Sequence, residues 1–238
     1  MAESTLPGSG WPQFTPVADH ALLVSFGDLI SDDSSAAVIA LDRALALEPP
    51  DGFCESVPAF VNLLIDFDPL MTDHEQIRAQ VERLLSRPWS GQAVGQLREV
   101  EVCYDADFAP DLAAVAQAAG MSVEAVVNAH SASDYLVRMY GFAPGYAYLS
   151  GVPASIQVPR KAAAVHDIAA GSVIIAGPQC LVTTLLMPTG WSIIGRSPTR
   201  ILTPEASEPF LFEVGDMVRF RRIDRAQYEL RRSTGSHG

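Results

Sequence analysis

One histidine, His130, stands out as a candidate acid–base group. An imidazole ordinarily titrates close to neutral pH, which suits proton transfer in catalysis. His130 lies at the end of a predicted helix, just before Ser131 and Ser133. A histidine there also complements the helix dipole, so a structural role is the alternative. The remaining histidines show no ligand-like spacing with it or with one another, and we predict no metal site.

Two arginines beside turn-forming residues are the candidate anion-binding groups. Arg160 follows Val158-Pro159, and Arg196 follows Gly195. A guanidinium presents a planar fork of donors that matches a carboxylate or a phosphate. Lys161 adds positive charge beside Arg160 in an otherwise acidic chain. We therefore predict that Arg160 or Arg196 holds a small anionic substrate, with a structural salt bridge as the alternative for each.

A stretch rich in glycine and aromatic residues, Tyr140–Gly151, is predicted to form a pocket wall. Its twelve residues include three glycines, one proline and four aromatic rings. So many glycines and large rings do not suit a helix interior or a plain linker. The candidate substrate contacts in this stretch are Phe142, Pro144, Gly145, Tyr146 and Tyr148. The alternative for each ring is ordinary packing in the core.

Two further residues complete the predicted site. Gln179 follows Ala176-Gly-Pro178 and can bind an amide or a carboxylate through its side-chain amide. Trp191 follows Gly190, and its indole is either a substrate contact or part of the core. The sequence has no phosphate-binding loop, dinucleotide-binding glycine motif, nucleophile elbow or biotin-attachment motif. This combination predicts half of a site that another chain completes.

Composition and charge limit the function classes. The net charge of -12, from 16 basic and 28 acidic residues, argues against a general nucleic-acid binder. Three widely separated cysteines favour a reduced, cytoplasmic protein. No apolar run reaches membrane-spanning length, so we predict no membrane association. The C-terminal arginines are interpreted as solvated strand-end and tail charges: Arg219, Arg221, Arg222, Arg225, Arg231 and Arg232.

The order of the predicted elements indicates two domains. After a disordered leader over 1–17, residues 18–90 are predicted to form a small α+β domain. Its predicted elements are a strand at 21–26, a helix from about Ser31 to Pro49, strands at 53–57 and 62–67, and a helix opened by a Thr72–Glu75 capping box.

The second domain is predicted over 91–225 and is mostly β, followed by a flexible basic tail over 226–238. A strand at 100–103 precedes two short helices, one capped by Asp111 and one by Ser122. Many short strands then alternate with glycine and proline, a pattern typical of a barrel or closed sandwich. The predicted strands cover 134–139, 172–176, 180–186, 192–195, 200–202, 210–213 and 217–222.

The motif Gly141-Phe-Ala-Pro-Gly-Tyr-Ala-Tyr-Leu149 resembles the signature of the allophanate hydrolase subunit 1 family. The resemblance covers about residues 18–224. It continues in order through Asn128-Ala-His-Ser131, Val158-Pro-Arg160, Ala170-Gly-Ser-Val173, Ile175-Ala-Gly177, Pro188-Thr-Gly-Trp191, Ile194-Gly-Arg196, Val214-Gly-Asp216 and Val218-Arg-Phe220. The family includes the small subunit of bacterial 5-oxoprolinase, part of the carboxyltransferase domain of urea carboxylase, and the kinase inhibitor KipI.

The resemblance implies a cyclophilin-like barrel for the second domain and an enzyme subunit as the first function. It implies a larger carboxyltransferase-type second subunit of the allophanate hydrolase subunit 2 family, in a heterotetramer or larger assembly. The chemistry expected is ATP-dependent opening of 5-oxoproline to glutamate, with ATP a candidate co-substrate of the complex. Urea-type carboxyl transfer and inhibition of a histidine kinase are the alternatives, and prolyl isomerase activity is a weaker one.

Under the enzyme hypothesis, Arg160 or Arg196 holds the substrate anion, His130 moves a proton and Gln179 orients the carbonyl. The chain departs from the family beside Gln179. It has Gly177-Pro-Gln-Cys-Leu181 where the family usually has Gly-Gly-Gln-Thr-Gly. The change removes a glycine and a threonine hydroxyl, so it bears on the substrate more than on the fold.

Overall fold

The computed structural model describes residues 10–87, 95–203 and 207–234. The chain divides into two compact units, Met1–Val94 and Gly95–Gly238. The sequence placed the boundary at 90/91, within a segment that mostly lies outside the described residues. An α+β unit followed by a barrel unit is the fold class expected from the sequence.

The first unit is a four-stranded antiparallel sheet packed against two helices. Its strands follow the order β1-β2-β4-β3. The elements are β1 (Gln13–Val17), β2 (Ala21–Ser25), α1 (Asp32–Leu47), β3 (Phe53–Pro58), β4 (Asn62–Phe67) and α2 (His74–Leu85). Alternate residues of β4 are buried, so one face of the sheet and the apolar sides of both helices share one core.

Two expectations for this unit are wrong in detail. Residues 13–17 were expected in a disordered leader, but they form β1, which pairs with β2 along its whole length. Pro16 is tolerated because β1 is an edge strand, where a missing N–H need not break a ladder. Helix α2 is capped by Asp73, whose carboxylate accepts from Gln76 N at 2.9 Å, and not by a Thr72–Glu75 capping box.

The second unit is a closed barrel in the strand order β10-β7-β6-β13-β5-β12-β9, with a separate two-stranded sheet of β8 and β11. Its strands are β5 (Leu97–Cys103), β6 (Asp134–Tyr140), β7 (Ala147–Ser150), β8 (Val165–Ile168), β9 (Ser172–Ala176), β10 (Gln179–Val182), β11 (Met187–Thr189), β12 (Ser192–Arg196) and β13 (Met217–Ile223). Its α-helices are α3 (Leu112–Ala119), α4 (Val123–Ser131) and α5 (Arg225–Thr234).

The barrel is held together across a long sequence separation. Strands β5 and β13 pair in parallel over seven residue pairs, from Met217↔Leu97 to Ile223↔Cys103. Helices α3 and α4 contribute their buried sides to the same core as the inward residues of the barrel. That core is therefore built from both ends of the unit's sequence.

Several predicted boundaries in this unit are corrected. The strand expected at 180–186 ends at Val182, and the strands expected at 200–202 and 210–213 reduce to one bridge, Leu202↔Phe210. Strands β7, β8 and β11 were not predicted, because β7 begins inside the glycine-rich stretch and the other two are short.

The tail expected to be flexible over 226–238 is helical as far as Thr234, and residues 235–238 lie outside the described part. Asp224 and Gln227 form a reciprocal cap at its start, with Gln227 N donating to Asp224 Oδ1 at 2.8 Å. Tyr228 is buried and packs on Phe108, with 4.5 Å between ring centroids. The overlooked signal is the capping-box spacing Asp224-x-x-Gln227.

The basic side chains near the C-terminus are paired, not free. Each of the six arginines lies in an ion pair with a carboxylate of the second unit. Most of these pairs are exposed, so each contributes little to stability. They do neutralise the local positive charge, as expected for solvated strand-end charges.

Candidate functional site

The glycine-rich stretch forms a tight turn between β6 and β7. Gly145 has a φ of 75°, which a glycine adopts without strain. A Cβ on Gly145 would lie 2.9 Å from Thr184 Cγ2 and 3.2 Å from Leu202 Cβ. Thr184 Oγ1 also donates to the carbonyl oxygen of Pro144 at 2.6 Å. The turn is thus fixed against the 184 and 202 segments, and a side chain at position 145 would force its neighbours to shift.

Phe142 is held out of the core at the tip of this turn. Its side chain is 71% exposed and its φ is 72°, in the left-handed region that non-glycine residues seldom occupy. Its ring contacts Tyr146, with 5.7 Å between centroids. A strained backbone carrying an exposed aromatic ring is typical of a functional position. Pro144, two residues on, is also exposed.

The other predicted aromatic residues meet in one cluster on the outer face of the barrel. Tyr146 and Trp191 are buried, and Tyr148 is half-buried with its ring 5.9 Å from that of Trp191. The cluster also includes Ile168, Ile174, Ala176, Leu181 and Ile193. Along β9 the residues on either side of Ile174 point into the barrel core instead. This apolar layer, defined as the outer cluster, is therefore separate from the barrel interior.

Arg160 lies over the outer cluster. Its Cζ is 5.5 Å from the centroid of the Trp191 ring, within range of a cation–π interaction. The side chain is exposed, and no carboxylate among the described residues pairs with it. The guanidinium fork is therefore available to an anion. Lys161, by contrast, is neutralised by Asp111, with 2.6 Å between Nζ and Oδ2.

Gln179 begins β10 on the same outward side as Leu181, because Cys180 between them points into the barrel core. It is half-buried and lies opposite Ser150 on β7. Ser150 Oγ accepts a hydrogen bond from Arg138 Nε at 2.6 Å. Arg138 is buried, and sequence reasoning missed it. Arg138 lies at a β-bulge in β6, and the sequence gives no signal for that bulge.

Arg196 lies away from Arg160. Trp191 precedes β12 and Arg196 ends it, so their Cα atoms are about 16 Å apart at the rise of an extended strand. Arg196 instead contacts the Phe108 ring at 5.8 Å and Ser172 Oγ at 3.5 Å. Its Nε is buried without a partner among the described residues. Of the two arginines predicted as alternatives for binding the substrate anion, Arg160 lies at the outer cluster and Arg196 lies beside Phe108.

His130 is inside the barrel core and does not reach the outer cluster. It is fully buried, and its ring stacks on Phe220 with 4.5 Å between centroids. Its Nδ1 is hydrogen-bonded to the Tyr104 hydroxyl at 2.8 Å, and Nε2 lies 3.6 Å from Cys180 Sγ. Burial lowers the pKa of His130 from 6.5 to about 3, so the ring is neutral at pH 7. This placement favours the structural alternative over acid–base catalysis.

The predicted pocket at the glycine-rich stretch is a packed, partly exposed surface. A cleft of about 300 Å³ in this unit lies elsewhere, between Glu101, Pro198, Thr199, Arg200, Arg231 and Thr234. Burial raises the pKa of Tyr146, so its hydroxyl stays protonated at neutral pH. The outer cluster thus combines apolar rings with an exposed guanidinium, an arrangement suited to a small anion.

Within 10–87, 95–203 and 207–234, no three histidine, cysteine or acidic side chains lie close enough to hold a metal ion. Over the same ranges no single helix is long and apolar enough to cross a membrane; α3 and α4 pass that test only as a pair bent by 95°.

Residues 12–212 match the family described as carboxyltransferase domain, subdomain C and D. The chain belongs to this family. It is 34% identical over 227 residues to the B subunit of 5-oxoprolinase from Bacillus subtilis (strain 168), covering 91% of this chain and 95% of that protein. The family assignment agrees with the resemblance found in the sequence motifs.

Solved structures share the fold. The crystal structure of TTHA0988 is 30% identical with a TM-score of 0.78, and the match covers 87% of this chain but 40% of that chain. The Kluyveromyces lactis urea carboxylase is 15% identical with a TM-score of 0.67, over 91% of this chain and 22% of that chain. This last likeness shows the fold alone. In both proteins the shared fold is a part of a longer polypeptide.

Proposed function

We propose that the chain is the smaller subunit of an ATP-dependent 5-oxoprolinase, which opens 5-oxoproline to glutamate. The observation that supports this most is the 34% identity to the B subunit of a 5-oxoprolinase over nearly the whole of both chains. The name of that relative implies a partner subunit. We propose a larger carboxyltransferase-type subunit as the partner, in a heterotetramer or larger assembly.

The outer cluster suits this substrate. 5-Oxoproline is a small flat ring that carries one carboxylate and one lactam amide. Arg160, held over the buried Trp191 ring, would take the carboxylate through its unpaired fork, while the half-buried Tyr148 would contact the substrate ring. Gln179 would hydrogen-bond the lactam on the same outer side of the barrel. The chain's part in the reaction is therefore to bind and orient the substrate.

The remaining chemistry would come from the assembled complex. ATP hydrolysis makes opening of the lactam C–N bond by water favourable. No phosphate-binding motif occurs in this sequence. We propose that the ATP site is on the larger subunit or is shared with it, and that the exposed Arg160 edge of the outer cluster faces the shared space. Free thiols at Cys54, Cys103 and Cys180 are consistent with a cytoplasmic location.

A second candidate, a binding protein that regulates a histidine kinase, is favoured by exposed apolar side chains. Phe142 and Leu186 are 71% and 66% exposed, and Leu185 is 39% exposed. Large apolar side chains exposed together are typical of a surface that contacts another protein. The two candidate functions differ in the partner protein, so the experiment first identifies the partner and then measures the activity of the complex.

The test is affinity capture of the tagged full chain from its native cell extract, with partners identified by mass spectrometry. The proposed function predicts a stoichiometric carboxyltransferase-type subunit, and the captured complex should hydrolyse ATP when 5-oxoproline is added. ATP turnover with urea instead would support the urea-type carboxyltransferase. Capture of a histidine kinase with no turnover of either substrate would replace the enzyme hypothesis by the regulator.

A further inference from the structure

Asp111 occupies the N-cap position of α3 but does not cap the helix. Aspartate is among the preferred N-cap residues because its carboxylate accepts from the exposed N–H groups of the first turn. Here the side chain makes no such bond, and the backbone φ of -98° and ψ of -6° are helical rather than extended. The prediction that the Asp111 side chain caps α3 is therefore wrong, although the residue does stand at the start of the helix. Its carboxylate forms hydrogen bonds elsewhere in the unit.

The carboxylate instead joins two other segments of the barrel unit. Its Oδ2 accepts from Ile193 N at 2.7 Å and from Lys161 Nζ at 2.6 Å. Asp111 N also donates to the Ile193 carbonyl at 3.1 Å, so Asp111 is fixed to β12 by two bonds. The Asp111 and Lys161 side chains are each only 23% exposed, which strengthens the pair relative to a surface salt bridge.

Lys161 is held at both its backbone and its side chain. Its N–H donates to the Gly190 carbonyl at 2.7 Å, while its ammonium is bound by Asp111. Gly190 directly precedes Trp191, and Arg160 directly precedes Lys161. Two neighbouring pairs of residues, 160–161 and 190–191, are thereby locked side by side. The Arg160 guanidinium lies over the Trp191 ring, with its Cζ 5.5 Å from the ring centroid.

We propose that Asp111 is a positioning residue that acts through Lys161 to hold Arg160 over Trp191, in the orientation that receives an anionic substrate. The negative charge of Asp111 is needed to hold the ammonium, whereas any side-chain oxygen at this position would satisfy Ile193 N–H. The position of Arg160 is tied to the contacts of Lys161 with Asp111 and Gly190. Its consequence for substrate binding rests on the proposed function.

The geometric part is tested by fluorescence of the full chain in a background where Trp11 and Trp89 are replaced by phenylalanine, so that Trp191 alone reports. Asp111→Asn keeps an oxygen for Ile193 N–H and removes the charge, and Lys161→Met keeps the Gly190 bond and removes the ammonium. Either variant should release the guanidinium from the ring and raise acrylamide quenching of Trp191 about twofold. The double variant should quench no more than either single one.

The matched control is Asp134→Asn, which breaks the exposed Arg219–Asp134 pair of the same unit and should leave Trp191 quenching unchanged. Should Asp111→Asn fail to fold, Lys161→Met alone decides the outcome. Unchanged quenching in Lys161→Met, or equal changes in Asp134→Asn, would overturn the positioning role.

The kinetic part uses the captured two-subunit complex with 5-oxoproline and ATP. Asp111→Asn and Lys161→Met should each raise KM about tenfold with kcat nearly unchanged, because they misplace a binding group without removing it. The Arg160→Met variant distinguishes the proposed substrate-binding role of Arg160 from the positioning role of Asp111. If Arg160→Met leaves KM unchanged, the substrate assignment of Arg160 fails; if it raises KM and the other two variants do not, only the positioning role fails.

Discussion

Replacement of Gly145 by alanine tests whether the turn carrying the aromatic motif is fixed by close packing. Two effects add at this position. An L-residue at a φ of 75° costs about 1–2 kcal/mol in backbone strain. The new Cβ would also lie 2.9 Å from Thr184 Cγ2, and displacing that methyl group costs about 1–2 kcal/mol more. We expect Gly145→Ala to lower the free energy of unfolding by about 2–4 kcal/mol.

The matched control is Gly177→Ala. Gly177 also has a positive φ, 53°, but a Cβ there would meet no atom within 4 Å. It should therefore lose only the backbone part, about 1–2 kcal/mol. Both variants are unfolded with urea in a background where Trp11 and Trp89 are replaced by phenylalanine. The fluorescence of Trp191 then measures the unfolding of the barrel unit alone. Equal losses in the two alanine variants would refute the close-packing argument, because strain alone would then account for both.

Two further predictions concern His130 and Phe142. Since burial lowers the folded-state pKa of His130 from 6.5 to about 3, its contribution to stability is present above pH 6.5 and is lost as the pH falls towards 3. NMR of the imidazole nitrogens should show His130 neutral down to pH 5, whereas exposed His20, whose pKa is raised by its hydrogen bond to Asp66, titrates above 6.5. Titration of His130 near 6.5 would mean that it is solvated. Phe142→Gly should raise the free energy of unfolding by up to about 1 kcal/mol, because glycine relieves the strain at a φ of 72°. The same variant should weaken binding of the second subunit in a pull-down titration; if assembly is unaffected, the exposed ring has no role in it.

The structure brings some of the predicted site residues together and separates others, and their function stays a prediction. The aromatic motif, Trp191 and Arg160 meet in the outer cluster, as a shared site requires. Arg196 was grouped with Arg160 because both follow turn-forming residues. The length of β12, which places the arginine at its far end, could have separated them.

The buried position of His130, which favours the structural alternative, follows from helical spacing. Val126 and Val127 lie four and three residues before it, so all three point to one side of α4. That side packs into the barrel core, where both valines are also buried. A site role was predicted because His130 is part of the matched Asn128-Ala-His-Ser131 motif, but the ring lies in the barrel core and not in the outer cluster.

Other features depend on contacts that no local pattern specifies. The parallel pairing of β5 with β13 joins residues more than a hundred positions apart, and its register follows from barrel closure. The hydrogen bonds of Asp111 likewise cannot be predicted from the local sequence. The residue type and position predict a helix cap, but its carboxylate bonds to Lys161 and Ile193 because the fold brings them within reach.

The most direct test of the central claim is glutamate formation by the chain assembled with its captured second subunit, measured with 5-oxoproline and ATP. The wild-type complex should form glutamate and phosphate together, and neither subunit should do so alone. Arg160→Met should raise KM for 5-oxoproline about tenfold or more, while Arg219→Met, which removes an exposed ion-paired arginine, should leave KM unchanged. Absence of glutamate from the assembled complex, or equal KM values in the two variants, would contradict a 5-oxoproline site at the outer cluster.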